Sequence, residues 1–210
     1  MRPSDLIDGE ARARIEAAVR EAERSTGGEI VVAVVRACDA DASTGWWLGA
    51  SLAALAFLAL GLFAPPLPWI AYLAAQAAAL GTGLALARVD DVRRLCLRPE
   101  AVDPRVEERA LRCFAEQGLT RTRGRTGILI FAALLERRVV VLADEGIDRV
   151  RGPDESWQAV VDLAVDGIRR GAAAQGLEAA VRRCGAILAR HLPPPAPNPD
   201  ELPNALVLED

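Results

Sequence analysis

Lysine is missing from this sequence, and histidine and tyrosine occur once each. Every one of its 25 basic residues is therefore arginine. The lack of lysine rules out the phosphate-cradling glycine loop that depends on one. The four cysteines, Cys38, Cys96, Cys113 and Cys184, show neither a CxxC pair nor a metal-ligand spacing. They read as free thiols in a reducing compartment, mostly packing groups. No EF-hand spacing is present. The absence that shapes the chain most is charge: residues 46–87 contain no Asp, Glu or Arg.

A bilayer core about 30 Å thick needs roughly 20 apolar residues per helix. The uncharged block divides into two pieces of that size, 46–64 and 69–87, with Pro65-Pro66-Leu67-Pro68 between them. Proline cannot continue a helix and disfavours helical geometry in the residue before it, so the spacing predicts a helical hairpin. Trp46, Trp47, Trp69 and Tyr72 stand at segment ends, where amphipathic rings prefer the interface. Gly81, Gly83 and scattered alanines would let the helices approach closely. Fewer than 170 other residues are left to bury the hairpin in a soluble core. The block therefore reads as a transmembrane hairpin spanning 43–88. It does not read as a signal peptide, because the chain begins Met-Arg-Pro-Ser-Asp with no apolar run near the start. Arg36 precedes the block, Arg88, Arg93, Arg94 and Arg98 follow it, and the tip is uncharged. By the positive-inside rule both termini lie in the cytoplasm and the prolines outside, in an inner (plasma) membrane.

The remainder makes one domain of ordinary size from two pieces, 1–42 and 89–192, followed by a proline-rich acidic tail, 193–210, that reads as extended or mobile. A net charge of −4 argues against a nucleic-acid partner. Residues 88–151 carry 14 arginines against 11 acids, directly after the membrane exit, where anionic lipid headgroups would attract them. Asp39 and Asp41, in the linker before the membrane, read as solubilising charges.

Along the chain, 9–26 reads as an amphipathic helix stopped by Gly27-Gly28. EIVVAVVRA (29–37) has the look of a strand buried on both faces. A helix starts near Asp90 and breaks at Pro99, and another runs from Asp103-Pro104 to Gln117. GILIFAAL (127–134) and RVVVLAD (138–144) are strands joined closely enough for an antiparallel hairpin. Helices follow at 153–170, with Trp157 on the apolar face, and at 177–192. His191, at the end of the last helix, suits a capping role, since a cation there favours the helix dipole. Apolar strands alternating with helices predict an α/β class, a sheet covered by helices on both faces. If the first two strands are parallel, one sheet end carries the hairpin exit with Arg137 and Arg138, which would face the headgroups. The opposite, cytosolic end gathers Glu29, Thr126, Asp144, Arg121, Arg123 and Arg125.

The stretches ARARIEAAVREAERSTGGEIVVAVV and RTRGRTGILIFAALLERRVVVLADEGI, a Trp in the following helix, GL opening the last helix, and HLPPPAPNPDELPN resemble the TPM-domain family. More narrowly, nearly the whole chain resembles its bacterial membrane branch, in which a two-helix transmembrane hairpin splits the domain. The resemblance implies a three-layer α/β/α, Rossmann-like fold. Relatives in thylakoids are linked to photosystem II repair and to weak acid phosphatase activity, and some relatives bind calcium. Secreted relatives carry a signal peptide and a C-terminal anchor that are not legible here, so their lumenal or periplasmic roles are not carried over.

Glu29, Asp144, Glu145 and Asp148, with backbone carbonyls near Gly28 and Gly146, are the candidate ligands for a divalent cation such as Ca2+, which takes six to eight oxygens. The plainer alternatives are an arginine partner for Glu29 and turn chemistry at Asp144-Glu-Gly. The arginines of LTRTRGRTG could hold a phosphate, but a surface loop explains them as well. No nucleophile, metal pair or phosphate loop is written for a hydrolase. The leading reading is a non-enzymatic membrane protein whose cytosolic domain binds another membrane or cytosolic protein or serves envelope assembly. The alternatives are a weak metal-dependent phosphatase with Glu29 and Asp144 as ligands, and a calcium-binding membrane sensor.

Overall fold

A computed structural model describes residues 2–38, 42–63, 67–96, 99–150, 156–196 and 201–210. Asp39, Asp41, Pro65, Pro66, Arg98 and Pro153, which figured in the sequence reading, lie outside the described residues. The chain forms two compact units, Met1–Cys38 with Val102–Asp210, and Asp39–Ala101.

In the first unit the apolar runs become strands β1 (Glu29–Val35), β2 (Gly127–Ala133) and β3 (Arg138–Ala143). β1 and β2 are parallel in the register Glu29↔Gly127 to Val35↔Ala133, and β3 returns antiparallel to β2. Ile30, Val32, Val34, Ile128, Ile130 and Ala132 face α2 (Gly9–Arg24), α8 (Gln158–Arg169) and α9 (Ala173–His191) in one continuous core. The alternate residues Val31, Ala33, Leu129 and Phe131 are buried on the opposite face, with Val106, Ala110, Cys113 and Phe114 of α6 (Pro99–Glu116). Burial on both faces is why β1 and β2 read as unbroken apolar runs. The register puts Val35, Ala133 and Arg138 at one end of the sheet and Glu29, Gly127 and Ala143 at the other.

Several elements depart from the sequence pattern. α6 begins at Pro99 and runs through Pro104, whose missing N–H leaves Glu100 C=O without its helical donor. The helix expected from residue 177 already starts at Ala173, and Trp157 occupies the cap position before α8. Short helices α1 (Pro3–Leu6) and α7 (Glu145–Val150) are additions.

A further addition is β4 (Val207–Glu209), which pairs parallel with Ala33–Val35 and completes the sheet order β3-β2-β1-β4. Residues 201–210 therefore run along the open edge of β1. Leu206 is buried in the core, and its N–H donates to Glu16 Oε1 at 3.1 Å. Glu209 pairs with Arg109, and Asp210 accepts from the Ser4 hydroxyl at 2.8 Å and the Ser4 N–H at 3.1 Å. The Arg12 side chain, with help from the Leu206 N–H, holds the Glu16 carboxyl below its usual 4.5. The Ser4 bonds likewise hold Asp210 below its usual 3.8. Because both folded values are depressed, the stabilisation is complete above the ordinary values and lost as pH falls through the folded ones. Protection of the Leu206, Val207 and Glu209 amides should thus fall as pH drops below the ordinary carboxylate range, ahead of that of β2 amides.

The second unit holds α3 (Ala42–Phe63), α4 (Trp69–Leu86) and α5 (Asp90–Cys96). α3 and α4 pack side by side through glycine. A Cβ on Gly83 would lie 2.3 Å from Gly49 Cα, so the two backbones touch. Away from that seam the helices are bare: Trp47 is 74%, Phe63 86% and Trp69 72% exposed. Both helices are long and apolar enough to cross a membrane.

Candidate functional site

The end of the sheet that begins with Glu29 is assembled from the strand-entry loops. The Thr126 hydroxyl donates to Gly27 C=O at 2.8 Å, and Glu29 N–H donates to Thr126 C=O at 3.1 Å. The Thr122 hydroxyl accepts the Thr126 N–H at 3.0 Å and so closes the loop before β2. Arg125 in this loop has φ +55°, a left-handed conformation that costs about 1–2 kcal/mol for a residue with a Cβ. It is held there by Gly146, whose N–H donates to Arg125 C=O at 2.9 Å. A Cβ on Gly146 would fall 2.2 Å from Gly124 C=O, so only glycine allows α7 this close.

The strained loop delivers the Arg125 guanidinium to Asp144. Nη2 lies 3.0 Å from Asp144 Oδ1 and 3.8 Å from Glu145 Oε1, while Nη1 donates to Thr120 C=O at 3.0 Å. Asp144 is 5% exposed. Its Oδ1 also accepts the Glu145 N–H at 2.8 Å, and its C=O accepts the Ile147 N–H at 2.9 Å, so Asp144 starts α7. Its Oδ2 is buried with no hydrogen-bond partner. Glu145 is exposed and pairs with Arg149 at 3.3 Å. Asp148 lies on the exposed side of α7.

Glu29 is 7% exposed and is held by the C-terminal segment. Its Oε1 accepts the Glu201 N–H and its Oε2 the Leu202 N–H, each at 3.3 Å. Glu201 in turn accepts the Arg123 N–H at 2.9 Å. Glu29 and Asp144 share one row of the sheet, since Asp144 N–H donates to Gly127 C=O and Gly127 is the register partner of Glu29. Leu119 lies over the glycine between them: a Cβ on Gly127 would be 2.7 Å from Leu119 C=O and 2.8 Å from Leu119 Cδ2.

The structure thus brings Asp144 and Glu145 together around Arg125, while Glu29 is held by the N–H groups of Glu201 and Leu202. Calcium needs six to eight oxygens, and a cation here would meet the Arg125 charge. Asp144 Oδ2 is the one buried oxygen of the four candidates that calls for a partner. As arranged, Asp144 and Glu145 form an ion-pair cluster with Arg125 and Arg149, and Glu29 is bonded to backbone N–H groups. Among the described residues, no group of three or more His, Cys, Asp or Glu side chains is placed to hold a metal. Sequence reasoning missed Leu119 and the backbone donors of residues 201 and 202. The glycine at 127, opening an otherwise bulky strand, was the available signal for the first.

Among the cysteines, Cys113 and Cys184 are buried. Burial pushes the Cys113 thiol up to about 11, and the Cys184 thiol is also raised by burial, so neither is an activated nucleophile. His191 lines an apolar recess with Ile147, Trp157 and Leu192.

A family model of the TPM domain matches residues 75–187, more than half of the chain. The chain belongs to the TPM-domain family. The matched stretch includes Arg125, Asp144, Glu145 and Asp148, whereas Glu29 and residues 201–210 lie outside it. Among solved structures, the chain is similar to the NMR structure of the BA42 protein from the psychrophilic bacterium Bizionia argentinensis. The two are 20% identical over 96% of this chain and 94% of that one, with a TM-score of 0.59. At that identity the likeness shows the fold, a mixed α/β TPM-like domain. No curated protein matches the sequence.

Proposed function

We propose that this protein is a two-pass integral protein of the bacterial inner membrane whose TPM domain stands in the cytoplasm and binds a partner protein, without hydrolysing a substrate. The observation that carries the membrane reading is the surface of the helix pair. Trp46, Trp47, Leu58, Phe63, Trp69 and Ile70 are all exposed on helices that bear no charge between residues 46 and 87. A water-soluble monomer rarely exposes contiguous apolar patches beyond a few hundred Å². The distribution of arginine supports the orientation, since Arg36, Arg88, Arg93 and Arg94 flank the pair and its tip has none. A binding role, at the envelope and toward a membrane or cytosolic protein, rests on the sheet end. Its buried carboxylates are committed to Arg125 and to the chain's own N–H groups.

The rival readings make different forecasts. A phosphatase using Glu29 and Asp144 must lose turnover on phosphate monoesters in a Glu29→Gln/Asp144→Asn variant. A binding module shows the same background rate before and after. A calcium sensor draws support from Asp144 Oδ2, and its folded state should gain thermal stability in millimolar calcium. We expect no calcium-dependent shift in Tm. A rise of several degrees that disappears in the double variant would make the cluster a cation site.

A further inference from the structure

Among the described residues, Gln76 has a buried amide inside the apolar pair without a partner. Gln76 is the eighth residue of α4, at least about 10 Å along the axis from either end of the helix. Its Nε2 is buried with no hydrogen bond, and its Oε1 makes none among the described residues either. The residue as a whole stays partly exposed, so rotation about its terminal side-chain bonds can turn the carboxamide out to the surface of the pair. Turning the amide by 180° exchanges its two ends and leaves the same imbalance. Thr82 in the same helix differs: its hydroxyl donates to Ala78 C=O at 2.8 Å and is satisfied within α4.

Hydrocarbon offers nothing to a primary amide, and an unsatisfied polar group there costs several kcal/mol. Only another protein group at the same depth can satisfy Gln76. A carboxamide is its own complement, with two donors and an acceptor. A second copy supplies an identical group at an identical depth, and a two-fold axis lets each amide donate to the other. We propose that the helix pair self-associates into a dimer in which Gln76 of one copy hydrogen-bonds Gln76 of the second across the membrane midplane. This inference rests on the membrane reading above.

The full-length protein, reconstituted in phospholipid vesicles, tests it. Because the chain has no lysine, amine-reactive dyes label the α-amino group alone. Energy transfer between donor- and acceptor-labelled copies is then measured over a range of protein-to-lipid ratios. We expect transfer above random proximity that is linear in acceptor fraction, the mark of a dimer. Gln76→Leu should weaken association roughly tenfold, and Gln76→Asn, which keeps the carboxamide, less. A wild-type chain that stays at random proximity, or a Gln76→Leu variant that associates as tightly as wild type, overturns the proposal. Alkaline extraction of the same vesicles separates the two failures. Retained but monomeric protein refutes the dimer alone, whereas protein washed from the vesicles refutes the membrane reading with it.

Discussion

A leucine at Gly83 should force α3 and α4 apart. The contact it would invade is backbone against backbone: the new Cβ would sit 2.3 Å from Gly49 Cα and 2.4 Å from Gly49 N. A clash with a side chain can be relieved by a rotamer change, but here a whole helix must move. Between apolar helices in lipid there is no hydrophobic gain to hold the pair together, so close packing supplies the attraction and is lost when the axes separate. Overpacking costs typically 1–3 kcal/mol, and a site with no compliant neighbour belongs at or above the upper end, about 3 kcal/mol. Gly61→Leu is the matched control, because nothing lies within 4 Å of the Cβ it introduces. Unfolding of both variants in mixed micelles should show a large loss for Gly83→Leu and little change, or a small gain in helix propensity, for Gly61→Leu. Equal losses would mean that the glycine seam does not hold the pair together.

Leu206→Ala should loosen the whole C-terminal segment and cost about 2–5 kcal/mol of TPM-domain stability. Leu206 is 3% exposed and is the one residue of the last ten that is buried. The contacts flanking it are polar and mostly exposed: Ser4 to Asp210, Arg123 to Glu201, and the two N–H bonds to Glu29. Exposed polar pairs each contribute roughly 1 kcal/mol or less, so without the anchor they cannot order the segment against its entropy. The variant should show fast amide exchange from Leu202 to Asp210 and a freed edge on β1, while β2 stays protected. Unchanged protection at Val207–Glu209 would show that strand pairing alone keeps the segment in place.

How much of this could be read from the residues differs by element. β1 and β2 were legible because burial on both faces writes an unbroken apolar run, and the short connection 134–137 fixes the β2–β3 hairpin. The helix pair was legible because charge is absent from it. β4 was not: NALVLED is too short to carry a period, and its attachment depends on residues 190 and 206 positions away, Glu16 and Ser4. At the sheet end, strand register predicted that Glu29 and Asp144 would share an edge, and they do. The packing of Leu119 over Gly127 was hidden, because it depends on how a single 3-10 turn (Leu119–Arg121) folds back over the strand. Arg125 was legible as a basic loop residue. Its positive φ, which aims it at Asp144, comes from the close approach of Gly146 and has no local sequence signature.

The measurement that bears most directly on the account is labelling with a membrane-impermeant maleimide on intact and on permeabilised cells. With both termini in the cytoplasm, as proposed, Cys38 and exposed Cys96 lie on the cytoplasmic side, with Cys113 and Cys184 buried in the domain. Wild-type protein should therefore stay unlabelled in intact cells and react after permeabilisation. Leu67→Cys, at the tip of the pair, should react in intact cells. Arg125→Cys, on the TPM domain, should gain reactivity after permeabilisation only. Labelling of Arg125→Cys from outside, or a Leu67→Cys tip that becomes reactive only on permeabilisation, would contradict a two-pass protein with a cytoplasmic TPM domain.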